Sequence, residues 1–186
     1  MIKINLKQTF SSLLLGLFIS IGSASANSDT GEDLKSLHEM RSITYGILGD
    51  YYMFSGLEGD SRYSRQIKVG IKRFEKHLSN ISIGDSALAN LPQLAVAISE
   101  WQSYKTLLAT NQEDFLTQGY ANGRLVDDFS KKAITLNKSL KQVYDELKSS
   151  TQYPLSEWTQ HTRDMGMIIR TLTTEYAART TSSLGQ

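Results

Sequence analysis

The chain has 186 residues, 40% of them hydrophobic, with two prolines, no cysteine and a formal net charge of +1. That length suits one well-cored domain, and the absence of thiols excludes disulfides, thiolate zinc sites, iron–sulfur clusters and covalent haem attachment. A near-neutral balance invites neither nucleic acid nor an anionic membrane surface as a partner.

Residues 1–26 carry the pattern of a secretory signal. Lys3 and Lys7 form a positive start, Leu13 to Ile21 is an apolar run too short to span a bilayer, and Ala24-Ser25-Ala26 offers small residues for cleavage. The alternative is an uncleaved N-terminal anchor. With no twin arginine and no cysteine for lipidation, the segment predicts general export to the periplasm, a mature domain of residues 27–186 and no membrane span once the signal is removed. Setting Lys3 and Lys7 aside from the 20 basic side chains leaves 18 against 19 acidic ones, a net of −1.

A first helix is predicted from Asp29 or Thr30, with Glu32 and Asp33 at the positive end of its dipole, to Ser55, ahead of Gly56 and Gly59. At 100° per residue, Leu34, Leu37, Met40, Thr44, Ile47, Leu48, Tyr51 and Tyr52 share one broad arc, and Arg41 falls inside it. Gly46 and Gly49 lie on the opposite side. Each costs about 1 kcal/mol of helix propensity relative to alanine, which either close packing by another backbone or a tolerated surface weakness explains.

Asp60 or Ser61 opens a second helix with a core stripe of Tyr63, Ile67, Ile71, Phe74, Leu78 and Ile81, its other faces filled by Arg62, Arg65, Lys68, Lys72, Arg73 and Lys76. Such a basic run is either a solvated surface or the counterpart of an anionic partner or lipid headgroup. Asn80 to Asn90, with Gly84, Asp85 and Ser86, reads as a turn. Pro92 then starts a third helix that carries Leu91, Leu94, Ile98, Trp101 and Leu108, with Lys105 in the same row, and runs to about Phe115. After Gly119 and Gly123, a fourth helix follows from Leu125, Phe129, Ala133, Leu136, Leu140, Val143 and Leu147. Pro154 takes a first-turn position of a fifth helix, whose predicted core stripe is Leu155, Trp158, Met165, Ile169, Leu172 and Tyr176. No useful strand alternation appears, so the predicted class is all-α, an antiparallel up-and-down bundle of five helices.

Little in this sequence suggests catalysis. His38, His77 and His161 sit on three different predicted helices with no paired-ligand spacing, so they read as ordinary histidines rather than a metal site. No nucleophile has an adjacent base or a G-x-S-x-G context, and Met40 or Met165 reads as core filler rather than a haem ligand. No catalytic residue, metal or cofactor is expected. Arg41 is the exception, because a guanidinium among apolar neighbours must find an anion or reach water. Either it reaches a surface carboxylate, or its planar fork holds a small anion with the Thr44 hydroxyl one turn on.

The run Met40-Arg41-Ser42-Ile43-Thr44-Tyr45-Gly46-Ile47-Leu48-Gly49-Asp50-Tyr51 resembles the first-helix motif of the PilJ/NarX-type periplasmic sensor domain, the N-terminal module of type IV pili methyl-accepting chemotaxis transducers and of nitrate/nitrite sensor kinases. Arg41, Thr44 in place of a serine, and Tyr51 keep the family spacing. The resemblance covers about residues 33 to 110, taking in the Gly56 to Gly59 turn, Ile71-Lys72-Arg73-Phe74 and a proline-led helix with Trp101 and Tyr104. Two positions depart from the motif: Gly46 stands where the family has its second arginine, and Leu37-His38 replaces its Ala-Gly. Arg163 and Arg170 match the ends of a second copy of the motif. The resemblance implies a free-standing, non-enzymatic sensor-type module that binds a small anion such as nitrate or nitrite through Arg41 near a homodimer axis and acts beside a membrane receptor or sensor. The alternative is a structural or protein-interaction bundle with no small-molecule ligand.

Overall fold

The computed structural model describes the backbone of residues 6–83, 88, 91–151 and 154–184, and the side chains of these residues apart from 6–29, 82, 83, 158 and 181–184. Five helices follow in order: α1 Leu6–Gly56, α2 Ser61–Ile83, α3 Pro92–Gln118, α4 Gly123–Thr151 and α5 Glu157–Leu184. The result is an all-α helical bundle, as the periodicity predicts. Among the described residues no helix is long and apolar enough to cross a membrane. The turn residues Gly84, Asp85 and Ser86, the side chains of residues 1–26 expected to form the signal, and the Trp158 side chain lie outside the described residues.

Local chemistry sets most helix ends. α1 closes where Glu58 and Gly59 take positive φ values of 54° and 79°, and the Gly59 amide donates to the Phe54 carbonyl at 2.8 Å. Asp60 caps α2 by accepting from the Arg62 amide at 2.8 Å. α3 begins with Pro92 in its first turn and ends at Gly119 (φ 80°), whose amide donates to the Phe115 carbonyl, so it runs three residues past the expected Phe115. α4 is capped by the Asn122 side chain, which accepts from the Arg124 amide. α5 starts after Pro154 rather than at it, because Ser156 Oγ accepts from the Thr159 amide and makes Ser156 the cap. At its other end α1 runs back beyond the predicted start at Asp29 or Thr30 to Leu6, since no proline interrupts residues 6–30.

α1 is the axis of the molecule. It packs against α2, α4 and α5, while α3 packs against α4. The stripes predicted for α1 to α4 supply the core: Leu34, Leu37, Met40, Ile47, Leu48 and Tyr51 meet Ile67, Phe74, Ile81, Trp101, Leu108, Phe129, Leu136, Leu140 and Leu147, all buried. An aromatic chain runs through it. Phe74 stacks on Trp101 with centroids 3.7 Å apart, Trp101 on Tyr104, Tyr104 against Phe129, and Phe129 edge-on to Tyr51 at 5.4 Å. Gly70 of α2 lets this interface close, because a β-carbon there would fall 2.7 Å from Ile47 Cγ1.

The fifth helix reverses its prediction. Met165, Ile169, Leu172 and Tyr176 of the expected core stripe face outward, while among the described residues Met167, Thr174 and Ala177 are those α5 buries. The reason lies on α1, whose apolar arc is already covered by α2 and α4. α5 is left with the glycine side, where Thr174 fits: a β-carbon on Gly49 would sit 3.4 Å from Thr174 Oγ1, and that hydroxyl lies 3.0 Å from the Tyr45 carbonyl as a donor. Close packing by another helix therefore accounts for Gly49.

Candidate anion-binding site

Arg41 projects from the middle of α1 toward α4 and is partly buried. Its Nε donates to Asn137 Oδ1 at 3.3 Å, and Asn137 Nδ2 donates back to the Arg41 carbonyl at 3.0 Å. The expected alternatives were a carboxylate or an exogenous anion, yet the partner is a neutral amide. Among the described residues no carboxylate lies within 4 Å of the Arg41 guanidinium. Burial lowers the Arg41 pKa from its ordinary value, opposed by the more distant carboxylates of Asp145 and Asp164. His38, one turn before, is likewise held down by burial, with the Arg163 and Arg41 charges adding to it.

Thr44 does not take the place expected of it. It is completely buried, its hydroxyl donates to the Met40 carbonyl at 2.9 Å, and its own carbonyl accepts from Tyr104 Oη at 2.9 Å. With its donor satisfied inside the helix, it presents nothing to a ligand beside Arg41. Thr44 is a core residue, and burial pushes the Tyr104 phenol bonded to it well above its usual pKa.

A different arrangement lies on the other flank of α1. Between α1, α2 and α5 runs an open cleft of about 600 Å³, with Gly46 and Gly70 in its wall and four guanidiniums, those of Arg62, Arg65, Arg73 and Arg170, facing two carboxylates, Glu39 and Asp50. Arg62 is held by Asp60 at 2.6 Å and Arg73 by Glu39 at 3.5 Å. Arg65 and Arg170 make no ion pair within 4 Å among the described residues. Burial pushes the Asp50 carboxyl up to about 6, against the opposing charge of Arg170. Arg170 Nη1 reaches to 3.9 Å from the point where a Gly46 β-carbon would be. Arg170 of α5 thus brings its guanidinium to the Gly46 side of α1. A smaller cavity of about 310 Å³ adjoins on the far side of Arg170, walled by Gly49, Met53 and Thr174.

No family model, no characterised protein and no solved structure matches this chain. Function therefore rests on the site itself. Among the described residues no three His, Asp or Glu side chains gather to hold a metal. His77 Nδ1 lies 3.3 Å from Ser36 Oγ, and His161 is exposed. Sequence reasoning picked out Arg41 because it stands in an apolar arc. It passed over Arg65, Arg73 and Arg170 as members of a cleft because they come from two helices far apart in sequence, and the only available signals were the basic run on α2 and the Arg163/Arg170 spacing.

Proposed function

We propose that the protein is a non-enzymatic, exported binding module of the PilJ/NarX-like sensor type, taking a small oxyanion in the arginine-lined cleft between α1, α2 and α5 and acting as an accessory to a membrane receptor. The observation that carries this reading is the charge left over in the cleft: Arg62 and Arg73 are paired with Asp60 and Glu39, which leaves Arg65 and Arg170 without ion pairs among the described residues and Asp50 as the remaining carboxylate of the lining. Arginine's planar fork suits nitrate, sulfate, phosphate and carboxylate geometry. Glycine at Gly46 keeps the wall low beside the Arg170 guanidinium. Arg41 belongs to the α1–α4 contact in this reading, outside the cleft.

The test is a thermal-shift series with nitrate, nitrite, sulfate, phosphate and small carboxylates, since an anion bound only by the folded state raises Tm with its concentration. At least one should do so. Replacing Arg65 and Arg170 together by Gln should abolish the shift, whereas Arg41→Met should retain it. The reading fails if no anion raises Tm, or if the double variant responds as the parent does. The rival reading, an interaction bundle without a small ligand, is favoured by the outward apolar face of α5.

A further inference from the structure

The outer face of α5 carries Met165, Ile168, Ile169, Leu172 and Tyr176, each between 58% and 72% exposed, on successive turns. The spacing of three, one, three and four gathers them into one stripe at 100° per residue. A stripe of this kind is ordinarily the buried side of an amphipathic helix, whereas here the side turned to α1 holds Met167, Thr174 and Ala177. Isolated exposed apolar residues need no explanation, but five contiguous ones on a single helix mark an interface.

The charges along the stripe say what covers it. Glu157, His161, Asp164, Glu175 and Arg179 are all exposed and lie on the same flank, the one bordering Ile168, while the other flank carries the uncharged Thr162, Thr173 and Thr180. When two helices pair antiparallel about a two-fold axis, like flank meets like flank, and residues equally far on either side of the axis come opposite each other. Glu157 with Arg179, and His161 with Glu175, have the same midpoint, Ile168, within the stripe. One axis at Ile168 therefore sets Glu157 and Glu175 of one copy against Arg179 and His161 of the other, twice over, with Asp164 and the apolar residues between them. The five apolar side chains offer on the order of 500 Å² per copy, and the flanking residues bring this toward the ~800 Å² per partner of a standard interface.

We propose that two copies of this chain associate through α5, antiparallel, with the two-fold axis at Ile168 and with Glu157 and His161 of each copy facing Arg179 and Glu175 of the other. The pairing is independent of the cleft and of any anion.

Sedimentation equilibrium of the full chain should give a concentration-dependent dimer. Leu172→Glu, at an exposed position, should raise the dimer Kd about ten-fold or more while the helical circular-dichroism signal and Tm of the fold stay near the parent values. Arg179→Glu should weaken association, and adding Glu157→Arg to it should restore it. The cysteine-free chain permits a sharper test. Ile168→Cys should oxidise to a disulfide-linked dimer, and Met165→Cys mixed with Leu172→Cys should cross-link to each other in preference to themselves. Ile134→Cys, exposed on α4, should not cross-link. A monomer at all concentrations overturns the proposal, as does self-cross-linking of Met165→Cys and Leu172→Cys, which would mean parallel pairing. A monomer that binds neutral phosphatidylcholine vesicles, and loses that binding with Leu172→Glu, would overturn it in favour of a lipid surface.

Discussion

Arg41 and Asn137 bond to each other in both directions, guanidinium to amide oxygen at 3.3 Å and amide nitrogen to the Arg41 carbonyl at 3.0 Å. The pair fastens α1 to α4 without a carboxylate. Asn137→Leu removes both bonds and leaves a partly buried guanidinium short of one acceptor, so we expect a loss of about 1–3 kcal/mol. Arg41→Met leaves only the Asn137 carbonyl oxygen unpartnered and should cost about 1 kcal/mol. Urea denaturation measures both, and neither loss should depend on added anion.

Asp50 links stability to pH. Its carboxyl takes up a proton near pH 6 in the folded chain but near 3.8 when unfolded. Between those values the native state holds more protons, so stability is greatest at the acid end of the window and falls as pH rises through it. Asp50→Asn should flatten this dependence and add about 1–2 kcal/mol at pH 7, a figure reduced for the partial exposure of the group. Denaturant midpoints at pH 4.5 and pH 7 for both proteins measure the difference.

The same proton acts on the cleft. Neutralising Asp50 takes a negative charge away from Arg170, so anion affinity should rise as pH falls through about 6. In Asp50→Asn the anion-induced Tm shift should be larger at pH 7 and should lose most of its pH dependence. An unchanged pH profile in that variant would place the anion elsewhere.

Two glycines should respond in opposite senses to alanine. At Gly70 the added carbon meets Ile47 Cγ1 at 2.7 Å, and Ile47 is buried and branched, with no room to swing away. Overpacking of about 1–3 kcal/mol should outweigh the ~1 kcal/mol that alanine gains in helix propensity. At Gly166, in the middle of α5, nothing lies within 4 Å, so Gly166→Ala should stabilise the fold by up to ~1 kcal/mol. Thermal denaturation of the two variants should move Tm in opposite directions.

Thr44 separates core from ligand site. Thr44→Val keeps the shape and loses the hydroxyl bond to the Met40 carbonyl, which should cost about 1 kcal/mol and leave any anion-induced Tm shift unchanged. A lost shift would return Thr44 to the binding site.

Sequence alone determined the helical class and the inward faces of α1 to α4, because apolar residues at three- and four-residue steps, such as Ile67, Phe74 and Ile81 or Leu136, Leu140 and Leu147, have no other favourable place than a shared core. It also marked Arg41 as a charge needing a partner. It could not supply that partner, since Asn137 is 96 residues away and an amide carries no charge to look for. Nor could it orient α5. Periodicity reports that Met165, Ile169, Leu172 and Tyr176 lie on one side of a helix, but which surface covers that side depends on what the neighbouring helices have already buried. With the apolar arc of α1 taken by α2 and α4, its glycine side accepts the small residues of α5, Thr174 among them, and the apolar stripe turns outward. The arginine cleft has the same origin, because Arg65 and Arg170 become neighbours only when α2 and α5 pack on opposite sides of Gly46.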